Sequence, residues 1–149
     1  MKRATGLLSI LLIFLSTNCS IKPTDYVEIV RGGTMNEYPS TTIGQAFDAS
    51  FDNPKWEAII TQKGQKLVQF TGTVSEGTHR MASMILFERY GHKPTKKDWQ
   101  ETEKYWATGS PVRFQWLISV DDRSFQLADA RSEAWMDSGI NEVFEVIYK

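Results

Sequence analysis

Thr42-Ile43-Gly44-Gln45-Ala46-Phe47-Asp48-Ala49-Ser50-Phe51, with the segment that follows it to Gly72, decides the fold. Thr42 and Gln45 stand three apart just before an apolar run, the spacing of a capping box. Ile43, Ala46, Phe47, Ser50 and Phe51 fall at i, i+3, i+4, i+7 and i+8, so one face of the predicted helix is almost wholly apolar. Asn53-Pro54 is expected to stop that helix, because a residue before proline is pushed out of the helical region. Lys55 to Thr61 then reads as a strand, with Trp56, Ala58 and Ile60 on one face. Gln62-Lys63-Gly64-Gln65 is a turn, and Lys66 to Val74 is the return strand, with Val68, Phe70 and Val74 on one face. Gly72 inside that strand points to a bulge or a close backbone approach.

Working outward, Tyr26 to Val30 reads as a first strand ended by Gly32-Gly33, and Met35 to Ser40 as a loop carrying Pro39. Thr78 to Tyr90 is predicted as a helix by its length, although an alternating strand also fits. Thr95 with Asp98 starts the next helix. Lys97 and Glu101 form an i,i+4 pair on it, and Trp99, Thr102 and Trp106 share one of its faces. Val112 to Val120 alternates apolar and polar residues throughout, as a sheet with one buried and one wet face requires. Asp121 to Ser124 is a polar turn, Phe125 to Asp129 a return strand, and Ser132 to Asp137 a loop. Ser138 caps a last helix whose stripe is Ile140, Val143, Phe144 and Ile147.

The N-terminus points to export. Lys2-Arg3 precedes the short apolar run Leu7 to Leu15, and the chain's single cysteine, Cys19, follows it. A run of that length falls short of the about 20 residues that span a bilayer. The arrangement resembles a bacterial lipoprotein signal, which implies that Cys19 becomes the lipid-bearing first residue of the mature chain. It departs from the usual pattern in that Leu15 stands four before the cysteine and Asn18 directly precedes it. A soluble exported chain and an uncleaved anchor are the alternatives. Ser20, by resemblance to the sorting rule of enterobacterial lipoproteins, points to the outer membrane. With no other cysteine, the mature domain forms no internal disulfide.

The chain has 149 residues, 41% hydrophobic and 12% aromatic, with a net charge of −1 that becomes −3 once Lys2 and Arg3 are removed. That composition suits one globular domain and argues against nucleic acid, which requires a basic stripe. The residues Thr42-Ile43-Gly44, Ala46-Phe47, Asn53-Pro54-Lys55-Trp56-Glu57 and Val68-x-Phe70-Thr71-Gly72 resemble a domain that recurs in small exported or membrane-anchored bacterial proteins of unknown function. A looser likeness returns at Phe114 to Leu127 and Ile147-Tyr148. The resemblance implies a compact α+β domain outside the cytoplasm and assigns no active-site residue.

Catalytic and metal-binding patterns are not evident. The two histidines, His79 and His92, lack metal-ligand spacing, and no nucleophile elbow surrounds Ser75. Asp121-Asp122 lacks the rest of a calcium loop. Glu101 and Glu103, or Glu142 and Glu145, read as solvated helix charge. Gly32-Gly33 reads as a turn rather than a phosphate cradle. Trp56 and Trp116 belong on core faces. Trp99, Tyr105 and Trp106, if exposed together, mark an interaction patch for a partner or membrane interface.

The sequence thus predicts an α+β fold: an antiparallel sheet of four to five strands with helices mainly on one face, preceded by a cleaved signal segment. The expected organisation is a signal peptide over 1–18, a lipidated cysteine and short linker over 19–25, and a single domain over 26–149. The expected role is a non-enzymatic binding or structural lipoprotein of the cell envelope. It would be held to the outer membrane through Cys19 and face the periplasm, with no cofactor and a possible protein partner. The alternative is a periplasmic inhibitor or immunity protein against a toxin or hydrolase.

Overall fold

A computed structural model describes residues 22–90, 95–132 and 139–149. The fold is α+β. Its helices are α1 (Pro23–Gly32), α2 (Ile43–Ser50), α3 (Glu76–Tyr90), α4 (Lys96–Trp106) and α5 (Ile140–Tyr148). A small hairpin, β1 (Thr34–Met35) with β2 (Tyr38–Thr42), precedes α2. The main sheet is an antiparallel meander of β3 (Phe51–Ile60), β4 (Lys66–Val74), β5 (Pro111–Ile118) and β6 (Phe125–Ser132), in that spatial order.

The capping box forms as expected. Gln45 N–H donates to Thr42 Oγ1 at 3.2 Å, and Thr42 N–H donates to Gln45 Oε1 at 3.1 Å. Such a cap contributes about 1 kcal/mol and fixes the residue at which the helix begins. Starting there, α2 turns Ile43, Ala46 and Phe47 into the core. The Phe47 ring lies edge-on to Phe70 at 5.1 Å, Phe114 at 4.8 Å and Trp116 at 5.3 Å between ring centres. Asp48, one residue on, accepts from Trp56 Nε1 at 2.9 Å and Arg31 Nη2 at 2.6 Å, joining α2 to β3 and α1.

The helix ends earlier than Asn53-Pro54. Ser50 is its last residue, and Phe51 opens β3. Asn53-Pro54 instead forms a bulge within β3, opposite the single residue Gly72 of β4, with Asn53 at φ +53°. Gly72 meets both expectations set for it. It faces the bulge, and a Cβ there would sit 3.2 Å from the Asp52 carbonyl oxygen and 3.1 Å from Phe51 Cβ.

The first strand expected over Tyr26 to Val30 is a helix. Pro23 occupies a first-turn position, and Asp25 accepts from Lys22 N–H at 2.8 Å. Tyr26 and Val30, one turn apart, are both buried, so the apolar run serves a helix face. Helix α1 also takes up Pro23 to Asp25 of the expected linker. The loop expected over Met35 to Ser40 falls within the β1–β2 hairpin.

The later elements follow the sequence more closely. Thr78 to Tyr90 lies within α3, and the Thr95–Asp98 pair caps α4. Strand β5 alternates buried and partly exposed residues from Val112 to Ile118, but Val120 lies beyond it and is fully exposed. Val143, Phe144 and Ile147 of α5 are buried, whereas Ile140 is exposed. Ser138, expected to cap α5, and Trp135 lie outside the described residues, and Gly139 holds the cap position.

One face of the sheet takes the core: Val68, Phe70, Val74, Val112, Phe114, Trp116 and Ile118 are buried beneath helix residues that include Val30, Phe47, Ala82 and Phe144. At the edge of this core the Tyr148 ring stacks on Tyr38 at 4.3 Å and 13°. The Tyr148 hydroxyl is buried without a hydrogen-bond partner. Burial, and then the neighbouring Tyr38, pushes that phenol up to about 12.

Phe47→Ala is expected to lower unfolding free energy by about 3–5 kcal/mol in urea titration, the range for a large buried ring. A loss near zero would mean that Phe47 does not sit in the core. The raised Tyr148 value predicts a stability contribution that is complete below the ordinary phenol value of about 10 and lost as pH rises through about 12, because the unfolded chain ionises first. Urea midpoints between those limits should fall more steeply for the parent than for Tyr148→Phe.

Candidate functional site

The expected aromatic patch does not form. Trp106 is buried at 9% exposure, Tyr105 is half-buried against the core, and Trp99 alone of the three is an exposed large side chain, at 45%. The two tryptophans do lie near one helical face, seven residues apart. That spacing, however, carries Trp99 about 10 Å along the axis, at 1.5 Å per residue. The C-terminal end of α4 reaches the core, and its first turn overhangs it. Cys19 and His92 lie outside the described residues.

Residues considered for chemistry hold the fold together. His79 Nδ1 pairs with the Trp106 carbonyl at 2.8 Å, and its Nε2 lies 3.5 Å from Glu103 Oε1, fastening the start of α3 to the end of α4. Ser75 Oγ accepts from Thr78 N–H at 3.1 Å and donates to the Ser50 carbonyl at 2.8 Å, which also accepts from the Thr78 hydroxyl. Asp122 accepts from Lys66 Nζ at 2.5 Å. That contact, then Tyr26, holds the Lys66 ammonium above its usual range. Glu142 and Glu145 both receive Arg89, at 2.7 and 2.9 Å. Among the described residues no group of three or more His, Cys, Asp or Glu side chains is placed to hold a metal ion.

What remains is the second face of the sheet. Its residues are absent from the core cluster, and strand register arranges them in three cross-strand rows. Lys55, Thr71, Arg113 and Arg131 form the first, Glu57, Gln69, Gln115 and Asp129 the second, and Ile59, Leu67, Leu117 and Gln126 the third. The charges pair between rows: Lys55 with Glu57 at 2.9 Å, Arg113 with Asp129 at 3.3 Å and Arg131 with Asp129 at 3.0 Å. Gln115 Nε2 donates to Gln69 Oε1 at 2.7 Å. A recess of about 790 Å³ opens at the cationic end, between Thr71, Pro111, Arg113, Asp129 and Arg131. The alternation of each strand is visible in the sequence. The register that puts cations of three strands in one row is not, because pairing of distant segments sets it.

Comparison of the chain with protein-family models, with curated proteins and with solved structures gives no match in any of the three.

The two helix-face tryptophans make opposite predictions. Trp106→Ala should lower unfolding free energy by about 3 kcal/mol or more, whereas Trp99→Ala should change it by about 0.5 kcal/mol or less. Equal losses in thermal or urea unfolding would contradict the overhang of α4.

Proposed function

We propose that this protein is a non-enzymatic binding module of the bacterial cell envelope, anchored by lipid at Cys19 to the outer membrane and facing the periplasm. The tether rests on the sequence: a basic start, a short apolar run and a single cysteine four residues past its end. Helix α1 begins at Pro23, four residues past Cys19. A fully extended chain of that length reaches roughly 14 Å, so the domain stays close to the lipid surface.

The observation that carries a binding role is the second face of the main sheet. Among the described residues, α1 to α5 all contribute to the core on one face, while the other presents a graded surface, cationic at one end and apolar at the other. Such an ordered surface suits recognition of a partner better than turnover of a substrate, since its side chains pair with one another and the His79 ring is held between helices.

The test of the tether is fractionation of the full chain and of Cys19→Ser in a bacterial host, with a palmitate analogue as label. The parent should carry label and sediment with the outer membrane. Cys19→Ser should lose the label and leave that fraction. Equal sedimentation of the two would end the proposed tether.

A further inference from the structure

The open face carries a charge arrangement that sheet stability alone disfavours. Arg113 and Arg131 stand directly opposite each other on β5 and β6. Like charges in that position destabilise a strand pair. Lys55 extends the same row beyond Thr71. Among the described residues Asp129 is the carboxylate bonded to both guanidiniums, so two positive charges share one negative charge. Arg113 Nε is buried and has no hydrogen-bond partner. The recess of about 790 Å³ opens over these same groups.

Resting on the binding role proposed above, we infer that this recess receives the carboxylate of an acidic side chain on an extended polypeptide partner. Guanidinium groups bind carboxylates through paired, charge-assisted hydrogen bonds. Asp129 holds both guanidiniums in place beforehand, which lessens the ordering required on binding. The neighbouring rows favour a polypeptide over a phosphate. The Gln69–Gln115 amide pair lies one row away, and Ile59, Leu67 and Leu117 lie two rows away. Rows two residues apart are spaced about 6.8 Å, so the cationic and apolar rows are about 14 Å apart. An extended chain has the same spacing between residues i and i+4. An acidic residue with an apolar one four positions away therefore matches both ends, whereas inorganic phosphate or a lipid headgroup matches one.

The test is an NMR titration of the full chain in detergent micelles, following the arginine Nε–Hε resonances assigned through Arg113→Lys and Arg131→Lys. The probe is acetyl-Glu-Ser-Asn-Ser-Leu-amide. It should shift the Arg113 resonance to saturation, with affinity that falls as salt rises. Replacing its Glu by Gln, which requires no change in the protein, should weaken binding about tenfold or more. Arg113→Gln/Arg131→Gln lacks those resonances and is followed through the backbone amides of Gln69 and Leu117, which the peptide should shift in the parent but not in this variant, while the variant unfolds at a temperature no lower than the parent's. The inference is overturned if the Glu and Gln peptides bind equally, if the double variant binds undiminished, or if inorganic phosphate moves Arg113 Nε at as low a concentration as the peptide. Failure here leaves the Cys19→Ser fractionation untouched, and failure of that fractionation leaves this titration untouched.

Discussion

The Phe47 ring meets Phe70, Phe114 and Trp116 edge-on, and it does so because Thr42 and Gln45 start α2 at one fixed residue. A helix begun one residue later would be rotated by about 100° and would aim its apolar stripe elsewhere. Asp48 secures the same phase from the polar side, with Trp56 and Arg31 on its two oxygens. The helix is short, at eight residues, and would have little stability in isolation. Its order comes from what it covers. In return, its aromatic residue closes the middle of the sheet, around which α1 and α5 also pack.

Once one face of a meander is closed in this way, the other follows from strand alternation. Each residue that enters the core commits its neighbours to the opposite side. In β5 the core takes Val112, Phe114, Trp116 and Ile118, which leaves Arg113, Gln115 and Leu117 outside. Partner strands do the same in register, so the outer surface has an order of its own: charge, amide, then hydrocarbon. That surface is a by-product of core packing in its spacing, but its residue types are not dictated by the core.

Local signals were legible where a few neighbouring residues settle the matter. The capping boxes of α2 and α4, the turn at Gly64 and the alternation of β5 are of this kind. The misread elements are those in which two periods compete. Tyr26, Val27, Ile29 and Val30 satisfy a strand and a helix equally, and the burial of Tyr26 and Val30 beneath the fold, with Pro23 at the start, selects the helix. Asn53-Pro54 carries a helix-stop signal, but β4 had already captured the chain from Phe51 onward. The aromatic stripe of α4 had the right phase, but how far a helix extends past the core depends on its neighbours. The cationic row was hidden for a similar reason, since Lys55, Arg113 and Arg131 are brought together only by the pairing of four strands.

The interruption at Asn53-Pro54 also bears on what happens when many copies are crowded together. A four-stranded sheet has two rims whose backbone groups could recruit another chain into a growing ribbon. Strand β3 is one rim, and there the proline lacks an amide proton just where the strand kinks. Strand β6 is the other, and Ala128 is an extra residue between Leu127 and Asp129, which pair with the adjacent Trp116 and Gln115. Both outermost strands are thus irregular, β3 near its start and β6 near mid-length. A second sheet could not dock along the full length of either without losing step, so a broad face that no described element covers carries little risk of fibrous self-association.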